Sequence, residues 1–272
     1  MEFNLSEWLN LAVRWVHVFA GILWIGQTYF FTWLDGRFSA GEEARNKQNS
    51  AAQVWMVHSG GFYVVEKQNM PRLLPQALHW FRWEAALTWL SGMALLVLVY
   101  YMGGVLVDES VAKISVSAGV GIGLGAILLA WMVYDLLSQS PVGKSEAPFA
   151  CISFLLLLGV SYGLTQILSG RAAYIHVGAM MGTIMAANVW MRILPAQRRM
   201  IAALKEGKPA DAALSARAKL RSKHNTFMAV PVVFLMISSH FPTATYGSRY
   251  NWIILGALIL AGWMAAKFVR NA

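Results

Sequence analysis

The sequence predicts an all-α integral membrane protein. It reads as a single domain over residues 1–272, a bundle of seven transmembrane helices with the N-terminus outside, the C-terminus inside and a cytoplasmic hairpin loop after the first helix. Three observations lead there. Hydrophobic residues make up 57% of the chain and charged ones only 13%, which is too apolar for a soluble domain. Apolar runs recur at roughly 8–34, 79–102, 114–137, 148–169, 172–195, 224–241 and 251–269, each near the roughly 20 residues that span a hydrocarbon core. Of the 22 Lys and Arg, eighteen fall in the connections assigned to the inside, while Arg14, Lys113, Arg171 and Arg249 fall outside. The net charge of +9 therefore reports topology, and no nucleic-acid partner is expected.

The first run opens after Glu2 and Glu7, without the basic n-region of a signal peptide, so it is expected to remain as a helix. In the connection 36–78, QVWMVH and FYVVEK flank Ser59, Gly60 and Gly61, the pattern of a tight β-hairpin. Such a loop either closes over a site or anchors its aromatic side chains at the headgroups. Pro71 and Pro75 punctuate the approach to helix two. In helix three, Gly119, Gly121, Gly123 and Gly125 alternate within an apolar run with no following lysine, so they mark close helix packing and not a phosphate loop. Helix four carries no ionisable group. Helix five, RAAYIHVGAMMGTIMAANVWMRILPAQRR, aligns His176 with Met180, Thr183, Ala187 and Trp190, with Gly178 and Gly182 leaving room nearby. Residues 205–223 read as a basic amphipathic helix on the inner leaflet. Pro231 is placed to kink helix six.

Six histidines remain. His17, His176 and His240 fall toward the outer leaflet, and His58, His79 and His224 toward the inner. The one cysteine, Cys151, offers no thiolate metal site, and the absence of CxxCH excludes covalent c-type haem here. Imidazoles scattered over separate spans, without carboxylate or thiolate companions, suit the axial positions of one or two b-type haems. His17 with His176 forms the outer pair and His79 with His224 the inner. The competing reading gives each histidine an ordinary hydrogen bond to a neighbouring helix. On helix one, Gly21 lies one turn from His17 and offers clearance for a flat group.

Polar groups concentrate near the inner histidines: His58, Tyr63, Glu66 and Lys67 in the hairpin, Arg82 and Glu84 in LHWFRWE, Asn225 and Thr226 in KHNTF. Arg82 lies between Trp80 and Trp83, where a planar guanidinium can hold a flat anion against aromatic faces.

The segments RWVHVFAGILWIGQTYFFTWLD, HSGGFYVVEKQ, LHWFRWEAALTWLSG, HVGAMMGTIMAANVWMRILPAQ and KHNTFMAVPVVFLMISSHFP together resemble the membrane domain of the bacterial integral-membrane, cytochrome-c-dependent urate oxidase (urate hydroxylase) family. The resemblance implies a multi-pass protein of the bacterial inner membrane that oxidises urate to 5-hydroxyisourate, passing electrons through b-type haem to cytochrome c. Joined to the reading of the residues, it assigns catalysis to His58, Glu66 and Arg82, urate binding to Phe62, Tyr63, Arg82, Asn225 and Thr226, and iron to His17, His176, His79 and His224. Family members resemble a membrane domain fused to a c-type cytochrome, and this sequence lacks that CxxCH motif. Two other classes stay open: a purine or small-anion permease with a histidine proton relay, and a quinone-linked cytochrome b subunit.

Overall fold

The structure, a computed structural model, describes residues 4–45, 53–68 and 78–271. Within them the chain forms α1 (Leu5–Arg45), a hairpin of β1 (Gln53–His58) and β2 (Gly61–Glu66), α2 (Trp83–Leu95), α3 (Val116–Gln139), α4 (Glu146–Thr165), α5 (Gly170–Ala187), α6 (Leu194–Lys205), α7 (Ala212–Ile237) and α8 (Asn251–Asn271). Two π-helical segments extend the rods. Leu96–Tyr101 continues α2, and Asn188–Ile193 joins α5 to α6 without a break, so the described residues make seven continuous helical rods. Pro71 and Pro75 lie outside the described residues.

Six rods are long and apolar enough to cross a membrane: Leu5–Ser39, Trp83–Tyr101, Val116–Gln139, Glu146–Thr165, Gly170–Lys205 and Asn251–Arg270. The seventh expected run, 224–241, is not among them. It is the second half of α7, whose first half carries Arg217, Lys219, Arg221 and Lys223. The separate surface helix expected over 205–223 does not form either. The chain turns at Gly207, where φ is +70°, and Asp211 caps the new helix by accepting from Ala213 N–H at 2.8 Å and Leu214 N–H at 3.4 Å. Once capped, nothing interrupts helix from the basic turns into the apolar ones.

Caps and prolines explain the other boundaries. Ser115 starts α3 by accepting from Ala118 N–H, and Ser169 starts α5 by accepting from Ala172 N–H, both at 3.2 Å. Pro195 follows the π-turn. A proline there lacks the N–H that would bond Met191 and its ring presses on that carbonyl, so a wider turn relieves the clash. Leu194 N–H accordingly donates to Val189, five residues back. The hairpin pairs Gln53 with Glu66 and His58 with Gly61. Its two turn residues, Ser59 and Gly60, take φ of 50° and 76°, the mirror-image turn that matches strand twist.

The core is built around α5, half of whose apolar window is enclosed. It packs against α2, α3, α4 and α7, while α1 lies mainly on α2 and α8 on α7. Glycines set the closest approaches. Gly123 of α3 faces the His176 ring with no room for a methyl group, and Gly119 meets Leu106 and Val107, whereas Gly121 and Gly125 look into open space. The small-residue contact in α3 is thus an i, i+4 pair. Gly178, expected to leave room for a bulky group, is filled by Leu235 and Met236 of α7. Gly262 of α8 receives the Pro231 ring. Gly123→Ala is expected to lower stability by about 1–3 kcal/mol through overpacking, with Gly121→Ala within about 0.5 kcal/mol of the parent. Thermal unfolding of the detergent-solubilised chain checks this, and equal effects would contradict the packing described.

Candidate functional site

The best-partnered polar centre in the bundle is a cluster the sequence reading did not single out. Asp135, on the inward face of α3 near its C-terminal end, accepts from Arg192 Nε at 2.9 Å, from Arg192 Nη2, and from Arg221 Nη2 at 2.8 Å. The Asp135 and Arg221 side chains are 11% and 6% exposed, whereas Arg192 is 41% exposed and reaches toward solvent. Two guanidiniums with fixed planar donors satisfy one carboxylate, the condition under which an enclosed charge is tolerated. Arg221 also lies over the Tyr134 ring at 5.0 Å.

The cluster continues into an amide chain whose direction is set at both ends. Arg221 Nη1 donates to Asn188 Oδ1 at 3.2 Å, so the Asn188 amide nitrogen must donate onward. It does so to the Tyr134 hydroxyl and to Asn225 Oδ1, each at 2.9 Å, and Asn225 in turn donates to the Met185 carbonyl at 3.0 Å. The Tyr134 hydroxyl in turn shares a hydrogen bond with His224 Nδ1 at 2.8 Å, and the His224 ring is stacked on Phe149 at 4.5 Å. Asn225 and Thr226, expected to touch substrate, are 4% and 2% exposed. The Asn225 amide is committed to Asn188 and Met185, and Thr226 bonds Ser222 at 3.2 Å and Thr32 at 3.3 Å, so both serve the seam between helices.

A second group of polar atoms gathers where α2 begins. Trp83 meets Trp190 edge-on at 5.8 Å between ring centroids, and Arg82 lies 5.4 Å from the Trp83 ring. Arg82 Nε, Glu84 Oε2 and Trp190 Nε1, on the residues of this contact or next to them in sequence, are shielded from solvent and have no hydrogen-bond partner among the described residues; the same holds for Arg171 Nε, Trp263 Nε1 and the Ser138 and Ser153 hydroxyls on other helices. Two donors and an acceptor are left open next to exposed indole surface, an arrangement that usually signals a missing ligand or water. Trp89 Nε1 donates to Thr183 Oγ1 at 3.0 Å and ties α2 to α5 alongside.

The hairpin residues stand apart from both groups. His58 is exposed at the tip, Phe62 is 77% and Tyr63 51% exposed, and the Glu66 carboxylate accepts from Gln68 Nε2 at 3.5 Å. The hairpin base is held to α1 by the Lys67–Asp35 ion pair at 2.5 Å.

The four expected iron ligands divide by donor chemistry. His17 donates from Nδ1 to the Thr88 carbonyl at 2.9 Å, with Ser91 Oγ at 3.1 Å, which keeps the lone pair on Nε2. The glycine against its ring is Gly92 of α2, across the seam, and not Gly21. His176 is fully buried, donates from Nδ1 to the Ala172 carbonyl at 2.8 Å, and its Nε2 accepts from the Tyr101 hydroxyl at 3.1 Å. An Nδ1–H held by a carbonyl is the tautomer of an axial ligand, so the donor set of these two fits b-type haem. His224 Nδ1 meets the Tyr134 hydroxyl and no backbone carbonyl, and His79 sits exposed against Phe81 at 4.5 Å, so among the described residues the inner pair lacks the carbonyl that orients the outer two. The structure does not gather either pair around one point. His17 lies in the α1–α2 seam, while the partners of His176 are Tyr101, Gly123 and its own helix. An apolar recess of about 280 Å³ between α1 and α7, bordered by Ile25, Tyr29, Val233 and Phe234, has no histidine on its wall. No group of three or more His, Cys, Asp or Glu that could hold a metal ion occurs among the described residues.

Asp135 was legible in principle: it is the only acidic residue in α3, and a lone carboxylate in an apolar run demands a cationic partner. Asn188 carries a weaker signal of the same kind. Arg221 carries none, because it sits in a basic stretch where most residues are solvated.

Six long apolar rods around a shielded ionic cluster are compatible with a multi-pass membrane protein. The sequence model of the urate oxidase N-terminal family matches residues 3–272, and the chain belongs to that family. No curated protein and no solved structure matches it. Membership points to an oxidase-type enzyme acting on urate.

Arg221→Ala is expected to destabilise by about 3–5 kcal/mol, because it strips a buried partner from Asp135. Lys223→Ala, which breaks the exposed pair with Glu146, is expected to cost less than about 1 kcal/mol. Unfolding in detergent compares the two, and a similar loss for both would contradict the placement of Arg221.

Proposed function

We propose that the chain is a multi-pass protein of the bacterial inner membrane that oxidises urate to 5-hydroxyisourate, with urate held at the Arg82–Glu84–Trp190 group. What supports the reading, beside the family, is the set of open polar atoms there. Urate is a flat, anionic purine whose rim alternates carbonyl oxygens with ring N–H groups. Arg82 Nε–H and Trp190 Nε1–H donate to two of its oxygens, Glu84 Oε2 accepts from a ring N–H, and the indole of Trp83 supplies a stacking face. Each group on this side has a counterpart on the substrate rim.

In the reaction urate and one water give 5-hydroxyisourate, two protons and two electrons. Glu84, already the acceptor for a ring N–H, takes up a proton as the purine is oxidised, and Arg82 offsets the negative charge of the bound anion. Water then adds at the oxidised carbon. The exposed hairpin, with His58, Phe62, Tyr63 and Glu66, covers the cytoplasmic approach, and His58 or Glu66 carries the released proton outward to solvent. His17 and His176 carry the axial tautomer but lie in separate seams, with Tyr101 and Gly123 against the Nε2 of His176; b-type haem, were it bound through either, would supply one-electron transfer toward cytochrome c. In this reading α7 completes a seven-span bundle with the N-terminus out, its charged turns shielded by Asp135.

Anaerobic addition of urate to the purified, haem-loaded chain is expected to reduce the haem, read at its α-band. Arg82→Gln is expected to raise the urate KM about ten- to hundredfold, with Arg82→Lys recovering part of it, since a lysine keeps the charge but loses the fork. An unreduced spectrum, or a KM untouched by Arg82→Gln, would remove urate from this site.

A further inference from the structure

We infer that Asp135 is a positioning residue for the Arg82–Glu84–Trp190 group: by pairing with Arg192 and, through Arg221, with Asn188, it clamps both ends of the π-turn that aims the Trp190 indole N–H. The inference rests on the urate reading for its functional meaning and on the helix geometry alone for its structural content.

A π-turn is a strained insertion in a helix and persists where surrounding contacts hold it, frequently at functional sites. Here the turn runs from Asn188 to Ile193, and Trp190 sits in its middle. At the leading end Asn188 is held by three hydrogen bonds: Arg221 Nη1 at 3.2 Å on its oxygen, and Tyr134 and Asn225 at 2.9 Å on its nitrogen. Near the trailing end Arg192 is held by Asp135 at both carboxylate oxygens. The same carboxylate binds Arg221, so a single side chain on α3 reaches both ends of the turn on α5. Opposite this clamp, Trp190 meets Trp83 of α2, and its Nε1 has no partner among the described residues. Closing the wide turn to an ordinary α-turn would rotate the helix beyond it against the helix before it by about one residue's arc, roughly 100°, and Trp190, in the middle of the turn, by part of that. The indole N–H would then be re-aimed.

The experiment uses the full chain in detergent and two readouts. The first is amide hydrogen exchange of the segment 188–193 without any ligand, followed by mass spectrometry. Asp135→Asn, which keeps size and removes the charge, and Arg192→Gln, at the half-exposed end where folding is least threatened, are each expected to speed exchange there about tenfold. Exchange in α4 should stay unchanged, and Arg192→Lys should restore part of the protection. The second readout is urate turnover. Asp135→Asn is expected to raise KM about tenfold with kcat altered less than about twofold, and Trp190→Phe added to Asp135→Asn is expected to add nothing further. Unchanged exchange at 188–193 in both variants would overturn the clamp, as would a uniform rise over all helices or multiplying KM effects. Local loosening in a parent chain that neither binds nor oxidises urate would support the clamp and count against the urate reading alone.

Discussion

One carboxylate organises the inner half of the bundle. Asp135 cannot be solvated where it lies, so it draws Arg192 from the α5–α6 rod and Arg221 from α7. Three rods are thereby fixed relative to one another at the same level. The amide chain through Asn188 and Asn225 then ties α5 to α7 a second time, and Tyr134 carries the ordering on to His224. Hydrophobic burial alone would not choose this arrangement, since in an apolar surrounding one leucine-lined face is much like another. Directional polar contacts make the choice.

The outer half is held differently. There the rods approach through small residues, with His176 seated on Gly123 and the Pro231 ring on Gly262. The imidazole of His176 completes its bonding inside the bundle, to Ala172 and Tyr101. A buried histidine with a carbonyl on Nδ1 and a hydroxyl on Nε2 is both a packing element and a latent ligand. For the second role both the Tyr101 hydroxyl and the backbone at Gly123 would have to give way.

How much of this the sequence disclosed follows from the physics of each signal. Apolar runs and caps are local, so the helix starts and most ends fell within a few residues of the expected spans, although α1 runs on to Arg45 and the α5–α6 rod to Lys205, and the turn at Ser59 and Gly60 followed from adjacent residues. The limits of α7 did not, because a basic stretch reads as solvated unless the partner that draws it inward is known. Arg221 needed Asp135, which lies 86 positions earlier in the chain. Likewise the place of His224 beside Tyr134, 90 positions earlier, is not readable from its own neighbours in the chain. The Arg82 reading had a local basis in the flanking tryptophans, whereas Trp190 joins that group only through a turn whose width no periodicity reveals.

The ionic cluster also gauges depth. From Val116 at the head of α3 to Asp135 is 19 residues, about 28 Å of helix rise, and hydrocarbon layers are about 30 Å thick. Arg192, 41% exposed, and Arg221, 6% exposed, therefore sit about one such thickness from the head of α3, and they are the fixed charges that a polar molecule approaching that end of the bundle would meet.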